Sequence, residues 1–225
     1  MPTGTDAQPL TFGTWTFRYR PAAQVPARLA LLIHGWTGDE GSMWVFSLNF
    51  PATYAVLAPR APFAALGNGY SWREMRPGTS GLPSLVDLQP AAELLLKFLD
   101  DWSVSVGLDS RQFDLVGFSQ GAAMTYTLAV LHPERVRAFA ALSGFLPKEA
   151  ETRLAALAGK PVLLTHGRQD DMIPVEQARR ARDLLEAAGA QVTYCETDGG
   201  HRVSKDCFGE IKRFFGTEGF GQRTL

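Results

Sequence analysis

The sequence predicts an α/β domain in which a mostly parallel sheet is covered by helices on both faces. Two observations lead there. Short apolar runs, rich in residues that favour strands, alternate along the chain with longer stretches of helical period. The 225 residues also have ordinary globular composition, 45% hydrophobic and 20% charged, with no repeat, low-complexity tract or linker to divide them. Such a chain can bury a full core, so disorder and a disulfide-held scaffold are excluded. One α/β domain over residues 1–225 is the expectation.

The elements follow in order. Thr14–Arg20 alternates like an edge or hairpin strand. Leu29–His34, Ala55–Pro59, Phe113–Phe118, Ala138–Ser143, Val162–His166 and Gln191–Glu196 read as further, mostly buried strands. Leu85, Leu88, Ala92, Leu95, Leu99 and Trp102 recur every three or four residues and make one side of a helix apolar. Ser84 with Asp87 has the form of a capping box at its start. Gly121–Leu131 and Val175–Ala188 read as two more helices, and Cys207, Ile211 and Phe214 line the apolar side of a last one. Gly216–Leu225 is expected to be a loose tail. Gly144–Pro161 is too short to fold as a separate cap domain, so an open cleft is expected. The longer insertion is Arg60–Pro83, rich in glycine and proline.

Charge and cysteine narrow the function. Lys and Arg number 22 against 23 Asp and Glu, a net charge of −1 with no block of like charges. A phosphate-neutralising surface for nucleic acid has little support. No apolar run approaches the roughly 18 residues of a membrane span. The N-terminus has neither a basic start nor an apolar signal core, which points to a cytoplasmic protein. In that setting Cys195 and Cys207 are expected to stay reduced. His34, His132, His166 and His201 are scattered, none in ligand spacing with a cysteine, so no metal or other cofactor is expected. The expected partner is a small-molecule ester or acyl compound, with a homodimer as an open option.

The most informative stretch is Gly117-Phe-Ser119-Gln-Gly121, a G-x-S-x-G pattern after a strand and before a helix. Such a turn lifts the serine Oγ above the sheet and puts the helix N-terminus where an oxyanion develops. A serine nucleophile needs a base, and the base needs an orienting acid. In this arrangement the chain order is Ser, then Asp or Glu, then His. His166 precedes Asp170 and Asp171, the wrong order. His201 follows them in the flexible stretch Asp198-Gly-Gly-His201, which leaves either aspartate as the acid. His132, before Pro133 at a helix end, reads as structural. Oxyanion binding needs two donors: Gln120 N–H after the nucleophile, and Trp36 N–H from the turn His34-Gly35-Trp36. His34 itself reads as a turn-stabilising residue.

With these residues the chain resembles the phospholipase/carboxylesterase group of serine α/β-hydrolases, which includes bacterial carboxylesterases and acyl-protein thioesterases. The matching segments are Leu32-Ile-His-Gly35, Ala58-Pro-Arg-Ala-Pro62, Gly69-Tyr-Ser-Trp72, Gly117-Phe-Ser-Gln-Gly121, Ser143-Gly144, His166-Gly-Arg-Gln-Asp170 with Ile173-Pro174, and Gly200-His201. The resemblance implies an α/β-hydrolase fold and a Ser119–Asp170–His201 triad, with Trp36 and Gln120 as oxyanion donors. It departs at Trp36, where the thioesterases usually carry leucine. Trp36, Met43, Trp44, Trp72, Phe145, Leu146 and Met172 are the candidates for an apolar acyl pocket, because they stand in loops at strand C-terminal ends. Hydrolysis of carboxylic esters through an acyl-enzyme is the expectation. The alternatives are the same machinery on thioesters or lysophospholipids, and a binding module that keeps the fold without turnover.

Overall fold

Each β-rich run of the sequence becomes a strand in the computed structural model, which describes residues 8–216. The strands are β1 (Leu10–Phe12), β2 (Trp15–Arg20), β3 (Arg28–Ile33) and β4 (Tyr54–Pro59), followed by a small hairpin of β5 (Phe63–Ala64) and β6 (Tyr70–Ser71). After it come β7 (Phe113–Phe118), β8 (Val136–Leu142), β9 (Pro161–Gly167) and β10 (Gln191–Thr197). All but the hairpin form one eight-stranded sheet in the order β1-β2-β4-β3-β7-β8-β9-β10. From β4 across to β10 the strands run parallel, while β2 is antiparallel to both neighbours.

Parallel neighbours need crossovers, and helices supply most of them. These are α1 (Leu85–Val106), α2 (Gln120–Leu131) and α3 (Val175–Ala187), with α4 (Lys205–Gly216) closing the described chain. At the start of α1 the expected capping box is present, Ser84 and Asp87 each bonding the other's backbone N–H. Helix α2 is buried on almost every side, which is why its sequence is apolar or small all round rather than striped.

Alternation along each strand divides the apolar side chains into two cores. Leu29, Leu31 and Ile33 of β3 face α1, α2 and α3. Ala30 and Leu32 face α4 and the short helical turn Trp44–Asn49. Helices thus cover both faces, as expected, and the segment between β8 and β9 holds only the short 3-10 helix Ala150–Leu157. Parallel strands place their C-terminal ends on one rim, and the residues singled out for chemistry all follow those ends.

Two expectations change or fall outside view. Cys195 and Cys207 are joined by a disulfide, their Cα atoms 5.8 Å apart, where reduced thiols were expected. The reason is strand alternation. Val192 and Tyr194 of β10 turn toward the α1–α3 core, so Cys195 turns to the opposite face, where the first turn of α4 buries Cys207. The expected tail lies outside the described residues except for Gly216, which ends α4. Among the described residues no helix is long and apolar enough to cross a membrane.

Candidate active site

Ser119 joins β7 to α2 with φ 55° and ψ −115°, a conformation that a residue with a Cβ rarely adopts. Its surroundings over-determine it. The Ser119 N–H donates to Leu142 O of β8 at 2.9 Å, which pins the turn to the neighbouring strand. A Cβ on Gly117 would collide with the Gly121 carbonyl, and one on Gly121 with the Ile33 carbonyl. Both glycines are therefore required by backbone-to-backbone approach, and the G-x-S-x-G spacing is a steric necessity of this turn. Gln120 opens α2, so its N–H has no partner within the helix and points with the helix dipole at the serine end.

The turn after β3 lies against this elbow. A Cβ on Gly35 would stand 3.4 Å from the Ser119 Cβ. The His34–Gly35–Trp36 loop is fastened from several sides. Thr37 N–H donates to Tyr70 O and Tyr70 N–H to Gly38 O, both at 3.0 Å, so β6 zips onto the loop. The buried Glu40 pairs with Arg60 Nε at 2.7 Å, and Arg60 also donates to Tyr70 Oη. His34 is buried; its Nδ1–H donates to Gly35 O at 2.7 Å and its Nε2 accepts from Ala61 N–H at 2.9 Å. Burial pushes its pKa below the usual histidine value. It stabilises the turn, as expected. Among the described residues neither Trp36 N–H nor Gln120 N–H has a backbone partner outside the helices and strands.

The acid and the histidine arrive from the loops after β9 and β10. His201 Nε2 lies 3.0 Å from Ser119 Oγ, and His201 Nδ1 lies 2.7 Å from Asp170 Oδ2. Asp171 is exposed and makes no such approach. The two loops are zipped together: Arg168 N–H donates to Thr197 O and Gln169 N–H to Gly199 O, each at 2.8 Å. Ser143, at φ 45° after β8, directs its Oγ to Arg202 O at 3.3 Å. These ties hold His201 although its own segment has no regular structure. His132 is remote from the cluster and pairs with Glu93 at 3.0 Å.

The chain matches the profile of the Phospholipase/Carboxylesterase family over residues 20–218. The chain belongs to that family. An acyl-protein thioesterase 1 of Kluyveromyces lactis is 30% identical over 184 residues, covering 72% of this chain and 78% of that one. A probable inactive carboxylesterase of Oryza sativa subsp. japonica is 28% identical over 180 residues, covering 72% of this chain and 73% of that one. The solved structure of esterase PE8 overlays with a TM-score of 0.77 at 29% identity, covering 90% of this chain and 98% of that one. The fold is the α/β-hydrolase fold, and membership of the phospholipase/carboxylesterase family supports ester hydrolysis by a serine hydrolase.

Several of the apolar pocket candidates are buried. Trp72 is fully buried, its indole N–H donating to His34 O at 2.8 Å and its backbone N–H to Gln120 Oε1 at 3.0 Å. It supports the floor beneath the two turns and presents no surface to a ligand. Met43 and Trp44 are buried in the α4-side core, and Phe145 in the α1–α3 core. Of the apolar candidates, Trp36 and Met172 are exposed and Leu146 is half-buried. Sequence reasoning also missed the Gln120 side chain and Ser143. The segments carrying them stood in the matching motifs, but nothing in the residue types announced their hydrogen bonds.

Proposed function

We propose that the protein is a carboxylic ester hydrolase working through an acyl-enzyme, with Ser119 as nucleophile, His201 as base and Asp170 as the orienting acid. The observation that carries this is the row Ser119 Oγ–His201–Asp170, with contacts of 3.0 and 2.7 Å at opposite nitrogens of one imidazole. Ser119 Oγ attacks the ester carbonyl while its proton passes to His201 Nε2. The Trp36 and Gln120 N–H groups receive the oxyanion. Collapse of the tetrahedral species expels the alcohol, which takes the proton from His201, and leaves the acyl group on Ser119. A water molecule then gives its proton to His201 and attacks the acyl carbon; the acid departs and Ser119 regains the proton. Asp170 stabilises the imidazolium in both halves.

The acyl group rests on Trp36, Leu146 and Met172 at an open rim, since among the described residues no folded cap covers the site. Trp36 also separates this loop from the thioesterase pattern, and oxygen esters are the preferred substrates. A fluorophosphonate probe tests the function, followed by p-nitrophenyl esters of increasing chain length beside an acyl-thioester panel. Labelling at Ser119 with faster turnover of the esters is expected. A chain that resists the probe and turns over neither panel is a non-catalytic module, and faster thioester turnover would reassign the substrate.

A further inference from the structure

His166, which chain order sets aside as a base, is part of the same polar row. It occupies β9 on the face of Val162 and Leu164, beneath the turn that carries Asp170 toward α3. Its side chain and that of Asp170 are both fully buried. His166 Nε2 lies 2.8 Å from the Ile173 carbonyl oxygen and 3.3 Å from Asp170 Oδ2. Both neighbours are acceptors, so Nε2 carries the proton, donates it to Ile173 O and turns a polar edge toward Asp170 Oδ2. The other nitrogen, Nδ1, is then a bare acceptor, buried with no partner among the described residues. An apolar side chain would avoid leaving that acceptor unsatisfied, so the ring is retained against a local penalty.

The Asp170 carboxylate shows what the N–H achieves. Its Oδ1 accepts from Met172 N–H at 3.0 Å and Ile173 N–H at 2.8 Å. Its Oδ2 accepts from His201 Nδ1–H at 2.7 Å, and His166 Nε2 stands 3.3 Å from it as an electrostatic contact. Three hydrogen bonds and the His166 contact thus fix both oxygens. The backbone pair sets where Oδ1 sits, and without His166 the Oδ2 contact would rest on His201 alone, the group it is meant to orient. The Nε2–H to Ile173 O bond also closes the turn across its base, so the same ring holds the carboxylate and the backbone donors that grip it.

We propose that His166 is a positioning residue for catalysis, its Nε2–H closing the Asp170–Ile173 turn beside Asp170 Oδ2 so that the carboxylate stays in line with His201 Nδ1 and the imidazole stays aimed at Ser119. This rests on the triad reading above. It acts without proton transfer: the His166 proton stays on Nε2 throughout, and no bond is made or broken there.

The test measures KM and kcat on a p-nitrophenyl ester for His166→Phe and His166→Gln, with kcat expressed per site labelled by a fluorophosphonate. His166→Phe keeps a ring but removes the donor; kcat should fall about 2- to 10-fold, the range for losing one hydrogen bond to a neutral group, with KM within about twofold. His166→Gln presents an amide N–H at similar reach and should recover most of that loss. A merely structural role would lower the number of labelled sites and leave kcat per site unchanged. That result, or a glutamine variant no faster than the phenylalanine one, overturns the proposal. Should neither variant fold, the wild-type imidazole 15N shifts decide it: an Nε2–H tautomer at His166 supports the inference and an Nδ1–H tautomer removes it. Ser119→Ala is assayed alongside. If it keeps turnover, the nucleophile reading has failed; if it is inactive while His166→Phe is normal, only the positioning role has failed.

Discussion

The elbow at Ser119 and the loops that carry Asp170 and His201 deliver parts of one site by different means. The elbow is held by exclusion: glycines at 117 and 121 let α2 and β3 approach, and the backbone of Ser119 has one way through. The acid and histidine loops are held by attachment. Their ties run across the chain, from Gln169 to Gly199, Ser143 to Arg202 and Cys195 to Cys207. Steric exclusion is encoded within five consecutive residues. Attachment is encoded in pairs that only the folded chain brings together.

If the two regions make one catalytic unit, removing a reacting group from either should have the largest effects. Ser119→Ala is expected to lower kcat by at least about 10⁴-fold while leaving the far-UV spectrum unchanged, since triad members fail together. A variant retaining a tenth of wild-type kcat would dismiss Ser119. Asp170→Asn is expected to cost about 10⁴ as well, by analogy with serine proteases, because the amide favours the wrong histidine tautomer. Asp171→Asn should change kcat/KM by less than about tenfold, or 1.4 kcal/mol. The opposite ranking would move the acid by one residue and undo the attachment argument.

Changes that leave the reacting groups in place separate the two designs. Gly117→Ala drives a Cβ into the Gly121 carbonyl, and backbone cannot step aside as a side chain can. About 3 kcal/mol of lost stability is expected, the upper part of the usual overpacking range, with Tm lower by about 6–12 °C in calorimetry. An unchanged Tm would mean that the elbow is not sterically determined. Cys207→Ser opens a loop that contains His201 in a ring with a sequence separation of 12 residues. Chain entropy puts that loss at about 3 kcal/mol or less. Well below Tm, kcat should move by less than about threefold, because the backbone ties between the loops remain. A tenfold fall in kcat at constant fold would make the disulfide the principal attachment.

The same contrast explains what could be read in advance. The strands of the main sheet after β1 and all four helices were visible because burial on one or both faces imposes a period. The hairpin β5–β6 and strand β1 are two or three residues long, too short to show one. Gly117, Ser119 and Gly121 were legible because a single turn dictates them. The placement of His201 beside Ser119 was legible through chain order, and that of Asp170 rather than Asp171 beside His201 only by likeness to a family. Trp72 and Met43 were misplaced because a position in a loop does not say which way the side chain turns. For Trp72 the His34 carbonyl and the Gln120 amide decide it, and both lie far off in sequence. The disulfide was missed because the argument ran from compartment, while the bond follows from which face of β10 meets α4.

His34 belongs to neither design wholly, and its effect should be the smallest. It braces the Gly35–Trp36 turn by accepting the Ala61 N–H on Nε2, so protonation at Nε2 would replace an acceptor with a donor facing a donor. Burial lowers its pKa in the folded state. The sign follows from linkage. Between the folded pKa and the ordinary value near 6.5, the unfolded chain binds a proton that the folded chain refuses, so stability declines as pH falls below about 6.5. The slope from this one group cannot exceed about 1.4 kcal/mol per pH unit, and it ends once pH drops below the folded value. His34→Gln keeps an acceptor for Ala61 N–H without a titrating group. Urea midpoints of both proteins at pH 7.5 and 5.5 should show a smaller acid-side loss in the glutamine variant. Equal losses would mean that the turn does not depend on a neutral imidazole and is held by its backbone ties to Tyr70 and by the Glu40–Arg60–Tyr70 attachment.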